Sequence, residues 1–443
     1  MAVVEKVLII GSGAREHAIA RALQRSPQNP QLYGLGTNRN PGLLASCSQF
    51  EIGDINDPDF VLNFAKENGI TLAIIGPEAP LAAGVADALW EADFPTVGPR
   101  QDLAQIETSK AFARQLLTDY HIPACPKFQV FQTLEGVSEF LSELGEYYVV
   151  KADGLTGGKG VKVAGDHLHS HQEALTYAGE LLAEAGQFVV EEKLIGEEFS
   201  LMSFTDGRTL RHMPPVQDHK RAYEGDTGPN TGGMGSYSCA NGQLPFLSSS
   251  DIDEARRFNV DTISALKREF GQPYQGILYG GFIATAQGVK LIEYNARFGD
   301  PEAMNVLALL ETDFLEICQA IVGQTLHETI VRFGTQATVC KYAVPEGYPN
   351  HPVKGQLIDI SRLSSTGQLY FGSVEKTDGE NLKEIGSRTL AVVGIADDLE
   401  MAEAQAEKLI SQVSGPLFHR KDIGTAELVQ RRINHMRELR PND

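Results

Sequence analysis

Four consecutive apolar residues, Val7-Leu8-Ile9-Ile10, run straight into Gly11-Ser12-Gly13 and then Ala14-Arg15-Glu16-His17-Ala18-Ile19-Ala20. An uninterrupted apolar strand is covered on both faces, as in a parallel sheet, and a tight glycine turn into a helix is how such a sheet continues. Further apolar stretches at 31–35 and 72–75, separated by helical segments, predict an open α/β domain through about residue 105. The dinucleotide fingerprint is not completed. Glu16 stands in the third glycine position of Gly-x-Gly-x-x-Gly, and the second strand ends in Leu35-Gly36-Thr37 without an acid for a ribose. Two readings of the turn stay open. The backbone of Gly11 and Gly13 holds a phosphate beside Arg15, with Gly36, Thr37 and Asn38 extending the pocket, or the turn serves packing alone. Gly76-Pro77-Glu78 divides the same way, between a carboxylate offered to substrate and a plain turn.

A chain of 443 residues exceeds one typical core, and about two to four domains are expected. The net charge of -20 disfavours a general nucleic-acid binder or an anionic-membrane protein. It does not exclude a small anionic substrate, because residues 208–221 gather Arg208, Arg211, His212, His219, Lys220 and Arg221. Cys47, Cys125, Cys239, Cys318 and Cys340 are scattered without zinc-like spacing, so reduced thiols are expected. No signal-peptide pattern or long apolar segment is apparent, and a cytoplasmic protein is the expectation.

The middle of the chain concentrates phosphate chemistry. A helix beginning near Ser109-Lys110 precedes the strand-like Tyr147-Tyr148-Val149-Val150-Lys151, and Asp153-Gly154-Leu155-Thr156-Gly157-Gly158-Lys159-Gly160 follows. Four glycines permit close backbone approach to phosphate, and Lys151 and Lys159 add positive charge, although this is not a P-loop. Next, Phe188-Val189-Val190-Glu191-Glu192-Lys193-Leu194 leads to Gly196-Glu197-Glu198. A strand edge can bind adenine through its backbone while a carboxylate takes ribose hydroxyls, which makes Glu191 and Glu198 candidates; both also read as ordinary surface acids. In the segment from Gln217 to Tyr237, Asp218 can orient an amine, Lys220 and Arg221 can hold an anion, and the glycines carry backbone donors.

Two strands, Gly276–Ile283 and Val289–Tyr294, flank a turn at Gln287-Gly288, and the second presents Glu293 and Asn295 on one face. Their hard oxygens suit Mg²⁺, completed by nucleotide phosphates and water, or they line the solvent side of the strand. Arg297 follows as an anion clamp. Asp300 and Pro301 read as a helix N-cap and first helical residue.

Taken together, Gly11–Ala18, Gly76-Pro77-Glu78, Val150–Leu155 with Gly158-Lys159-Gly160, Glu191-Glu192 with Gly196-Glu197-Glu198, Gln217–Arg221 through Gly232-Gly233-Met234-Gly235, and Arg297–Glu302 resemble the glycinamide ribonucleotide synthetase family of ATP-grasp enzymes along almost the whole chain. Departures are Thr156 and Gly157 in the phosphate loop, Cys239 where proline is common, and Met304 where glutamine is common. The resemblance implies ATP-dependent joining of glycine to 5-phospho-D-ribosylamine through glycyl phosphate, in de novo purine synthesis, with Mg²⁺ or Mn²⁺. It assigns Lys110, Lys151, Gly158, Lys159 and Gly160 to ATP phosphates, Glu191 and Leu194 to the adenine side, and Glu198 to ribose. Glu293 and Asn295 become the metal ligands. Arg297, Asp218 and Lys220 position substrate or acyl phosphate, while Gly11, Gly13, Arg15, Gly36, Thr37, Asn38 and Glu78 hold phosphoribosylamine.

The fold class expected is multidomain α/β. An N-terminal open parallel sheet spans 1–105, an ATP-grasp domain 106–325 with a mobile lid at about 125–194, a smaller α/β domain 326–430, and a polar tail 431–443. Neither nucleic acid nor membrane is an expected partner, and a monomer is expected, with weak self-association left open.

Overall fold

The computed structural model describes residues 4–155, 160–363, 368–379 and 381–441. The opening apolar run forms the central strand Lys6–Ile10 of a five-stranded, wholly parallel sheet. Its order is Gln49–Ile52, Gln31–Gly36, Lys6–Ile10, Leu72–Ile75, Thr96–Val97. The chain lays its second and third strands on one side of the first and the last two on the other, so the order reverses between Lys6–Ile10 and Leu72–Ile75. Ligands bind such sheets at the carboxyl ends of the strands flanking this reversal. Gly11-Ser12-Gly13 and Gly76-Pro77-Glu78 end those two strands.

Two antiparallel sheets follow. Phe128–Phe131, Phe188–Glu192, Tyr148–Ala152 and Val161–Val163 form one, covered by the helices Val137–Leu144 and His171–Ala185. This unit packs its own hydrophobic cluster, including Phe131, Phe140, Tyr148, Val150, Leu181 and Phe188, separate from the large core of the rest. The other runs Leu210–His212, Gly196–Asp206, Gln275–Thr285, Gly288–Asn295. A register shift lies in its last pair: Gly281 faces Glu293 whereas Phe282 faces Leu291, so Ile292 is the extra residue of a β-bulge.

The boundary expected at 325 does not separate sheets. Gln217–Asp218 and Gly235–Ser238 pair in series with Ala337–Pro345, Leu390–Ala396 and Leu369–Phe371. Two expectations need correction. The helix after the strand Gly288–Asn295 is Glu302–Leu309, with Pro301 at its cap. Asp300 is not the N-cap because its carboxylate accepts the Tyr342 hydroxyl at 2.6 Å and faces Arg388 at 3.3 Å. The expected polar tail is largely helix, Ala426–Leu439, capped by Thr425 and burying Leu428, Val429 and Met436. Arg432 of that helix reaches Glu197 at 3.3 Å, so charge pairing as well as apolar contact docks it.

Candidate active site

Glu16 explains the broken fingerprint. Its carboxylate accepts the Gly13 N–H at 2.6 Å and pairs with Arg15 Nε, also at 2.6 Å. A β-carbon on Gly11 would lie 2.7 Å from Glu16 Cγ, and one on Gly76 would lie 2.1 Å from Glu16 Oε1. Gly11 also adopts φ +120°. The glycines at the sheet reversal therefore make room for an internal carboxylate, which occupies a donor that a phosphate would otherwise use. Alongside, Ser12 Oγ accepts the Thr37 N–H at 3.1 Å and donates to Asn38 Oδ1 at 2.7 Å, while Asn38 Nδ2 reaches the Val374 carbonyl at 3.1 Å. Gly36 sits against Ser12, where a β-carbon would meet Ser12 Cβ at 2.6 Å. The pocket residues of the N-terminal sheet are thus braced by the C-terminal segment.

Arg297 bridges inward. It lies 3.3 Å from Glu78 and 3.0 Å from Glu107, and donates to the Phe298 carbonyl at 3.2 Å. Burial opposes the charge on Glu78, but Arg297 and then Arg15 hold its pKa down at about 2. Glu107, on the helix Gln101–Thr108, also accepts the Ala296 N–H at 2.7 Å and is fixed from both sides. Nothing in the sequence pattern marks this acid.

Ser109 caps the helix Lys110–Asp119, and Asp153 ties that cap to the end of the strand Tyr148–Ala152 by accepting from Ser109 Oγ at 3.0 Å. Lys110 donates to the Gly154 carbonyl at 2.9 Å, and the Gly160 carbonyl accepts from Ala152. Gly158 and Lys159, with Thr156 and Gly157, lie outside the described residues. Glu191 is buried and engaged by both Lys151 and Arg114, the latter at 2.9 Å. Burial opposes its ionisation, yet Arg114 and Lys151 keep its pKa below the usual range. The carbonyl of Ile292, displaced by the bulge, accepts from Arg114 at 2.8 Å and from Lys151 at 3.4 Å. Leu194 is half-buried at the end of this edge.

Glu293 and Asn295 follow the bulge. Burial alone would favour a neutral Glu293, but Lys220, then Lys151, Lys110 and Arg297, outweigh it and keep the carboxylate ionised. Lys220 lies 3.4 Å from Glu198 and 4.0 Å from Glu293. The surrounding donors and acceptors assign the Asn295 amide nitrogen toward Glu107 Oε1 at 3.1 Å, which turns its oxygen away from that acid. Among the described residues no cluster of three or more His, Cys, Asp or Glu side chains is arranged to hold a metal. One carboxylate and one amide oxygen are hard donors that would suit a divalent cation. Asp218 is half-buried; loss of solvation and then the like charge of Glu302 push its pKa well up, and Glu302, which accepts the Tyr279 hydroxyl at 2.8 Å, is raised by burial as well.

The switch-point turns lie in the first of three matched segments, and Glu293 and Arg297 both lie in the second. Models of the N, ATP-grasp (A) and C domains of phosphoribosylglycinamide synthetase match residues 5–107, 108–303 and 338–426. The chain belongs to the phosphoribosylglycinamide synthetase family. It is 51% identical to the phosphoribosylamine–glycine ligase of Methanosarcina barkeri, over 98% of this chain and 100% of the relative. The crystal structure of the Thermotoga maritima phosphoribosylamine–glycine ligase superposes with a TM-score of 0.81 at 29% identity, covering 94% of this chain and 100% of that one. The biotin carboxylase domain of Hydrogenobacter thermophilus 2-oxoglutarate carboxylase, crystallised with MgADP, ADP and bicarbonate, is similar in fold alone, with a TM-score of 0.71 and 13% identity over 99% and 94% of the two chains. As a member of the phosphoribosylglycinamide synthetase family the chain is an enzyme, a ligase, and its ATP-grasp fold is one that uses ATP with a divalent cation.

Proposed function

We propose that the enzyme joins glycine to 5-phospho-D-ribosylamine, with conversion of ATP to ADP and phosphate, to make glycinamide ribonucleotide for de novo purine synthesis. The site assignment rests on the family match together with the placement of Glu293, 4.0 Å from Lys220 and next to the Ile292 carbonyl that takes Arg114 and Lys151. Glycine carboxylate attacks the γ-phosphoryl group and ADP leaves. The ribosylamine nitrogen then attacks the carbonyl of glycyl phosphate, and phosphate leaves with the formation of the amide. Phosphorylation turns a poor leaving group into a good one, so the protein's part is positioning and charge stabilisation.

Lys110, Lys151 and the loop carrying Gly158, Lys159 and Gly160 are assigned to the ATP phosphates. The edge at Glu191 and Leu194 is assigned to adenine. Because the Glu191 carboxylate is already engaged by Lys151 and Arg114, adenine contact there falls to the backbone. Glu198, exposed beside Lys220, is assigned to ribose. Glu293 and Asn295 would hold Mg²⁺ or Mn²⁺, which when bound neutralises phosphate charge. Asp218, Lys220 and Arg297 position glycine and its phosphate. Arg15, Thr37, Asn38 and Glu78 offer side chains to the ribosylamine pocket and Gly11, Gly13 and Gly36 form the turns around it, with the Gly13 N–H already held by Glu16.

The working division is 1–105, 106–325 and 326–430, with 125–194 closing as a lid; the separate hydrophobic cluster of that unit supports its moving as a body. A cytoplasmic monomer, with weak self-association left open, completes the reading. Glycine labelled with oxygen-18 in its carboxylate tests the route. Glycyl phosphate predicts one labelled oxygen in the released phosphate; unlabelled phosphate alongside normal amide formation would contradict it.

A further inference from the structure

Arg388, which enters the strand Leu390–Ala396, is absent from every motif above, yet it ties together the two turns that carry the substrate-facing groups. Its guanidinium donates to the carbonyls of Gly232 at 2.5 Å, Gly233 at 3.2 Å and Asp300 at 2.7 Å, and lies 3.3 Å from the Asp300 carboxylate. It also stacks over Tyr342, 4.6 Å from the ring centroid, whose hydroxyl donates to the other Asp300 oxygen at 2.6 Å. A planar fork meeting three carbonyls and a carboxylate is arginine chemistry that lysine reproduces only in part.

The consequences run in two directions. Asp300 belongs to the turn between Arg297 and the helix Glu302–Leu309. Gly233, at φ +109°, is wedged so that a β-carbon would fall 2.6 Å from Pro301 Cδ and 2.7 Å from Asp218 Oδ1. Next to it, Thr231 holds the Lys220 carbonyl through its N–H at 2.7 Å and its hydroxyl at 2.8 Å, and the Met234 N–H holds the His219 carbonyl at 2.8 Å. The backbone of Asp218, His219 and Lys220 is therefore registered against the Gly232–Gly233 turn, and that turn against Arg297–Glu302, at one guanidinium.

We propose that Arg388 is a positioning residue for the ligation, fixing the Asp218–Lys220 backbone and the Arg297–Glu302 turn in one mutual register without touching the reacting atoms. The inference rests on the function proposed above. It places a determinant of turnover in the C-terminal segment, opposite the nucleotide half.

The test compares Arg388→Gln, Arg388→Lys, Asp300→Asn and the Arg388→Gln/Asp300→Asn pair in amide formation, with melting temperature and the KM of each substrate. Wild-type turnover, read first, separates failure of the parent function from failure of this inference. A misplacement near 1 Å costs about 10²-fold, so Arg388→Gln should lower kcat by about that factor with KM for ATP unchanged. Arg388→Lys should regain part of the loss, and the double variant should be little worse than Arg388→Gln, because both act through one contact. A lowered melting temperature with wild-type kcat would make Arg388 a stabiliser only and overturn the proposal. A raised KM for the ribosylamine alone, with kcat kept, would make it a direct substrate contact and overturn it equally.

Discussion

Arg15 and Arg297 donate to the same oxygen, the carbonyl of Phe298, each at 3.2 Å. Arg15 lies in the first turn of the helix Ala14–Gln24 and Arg297 follows the strand Gly288–Asn295, so one peptide group joins the two expected substrate pockets. Two cationic donors on one buried carbonyl leave little freedom between the layers.

Arg15→Met should therefore impair turnover more than nucleotide binding. The expected loss is about 10²-fold in kcat/KM for the ribosylamine, with ATP affinity kept. An equal loss in ATP affinity would place Arg15 in general folding instead.

Arg297→Ala should be costly in two ways. It strips the partner from Glu107, whose side chain is only 5% exposed, and breaking a buried pair costs about 3–5 kcal/mol. Adding Glu107→Gln should restore much of the denaturation midpoint while leaving turnover lost. Recovery of both would remove Arg297 from the chemistry.

Glu293→Gln keeps the shape and removes the negative ligand. Saturation with Mg²⁺ should then require a much higher concentration, and chelation should abolish turnover in wild type and variant alike. An unchanged metal titration would move the cation site elsewhere.

Acid should weaken the fold through buried histidines. His17 stacks on Phe371 at 5.7 Å between centroids and accepts the Phe371 N–H at 3.1 Å. Burial, then Arg21, pulls its pKa from 6.5 to about 3. Between those values the unfolded chain binds a proton that the folded chain excludes, so this contribution is complete above 6.5 and drains away as pH falls toward 3. The slope for one proton is about 1.4 kcal/mol per pH unit. His17→Gln should flatten the acid limb of the denaturant midpoint against pH; an unaltered slope would assign the loss to other groups.

The parallel N-terminal sheet was legible because both-face burial writes itself as an apolar run, Val7–Ile10, ended by glycine. The strand carrying Glu293 and Asn295 was legible through its alternation. The bulge at Ile292 was not, since an extra residue in a ladder has no local composition, yet it supplies the carbonyl that anchors Arg114 and Lys151. Glu107 and Arg388 were invisible for a related reason: each acts by long-range pairing, on residues at 296–297 and at 232–233 and 300. Asp300 misled because Asp-Pro is a sound helix-start pattern, overridden here by Tyr342 and Arg388. The C-terminal helix was hidden by its charges, of which Arg432 is paired with Glu197 and Asp226 rather than solvated.

The most direct test is reconstitution with Mg²⁺, ATP, glycine and freshly formed phosphoribosylamine, with mass detection of product. The account predicts glycinamide ribonucleotide only when both substrates are present, with one ADP released per amide. ADP released without amide, or an amide formed in preference from another amino acid, would contradict it.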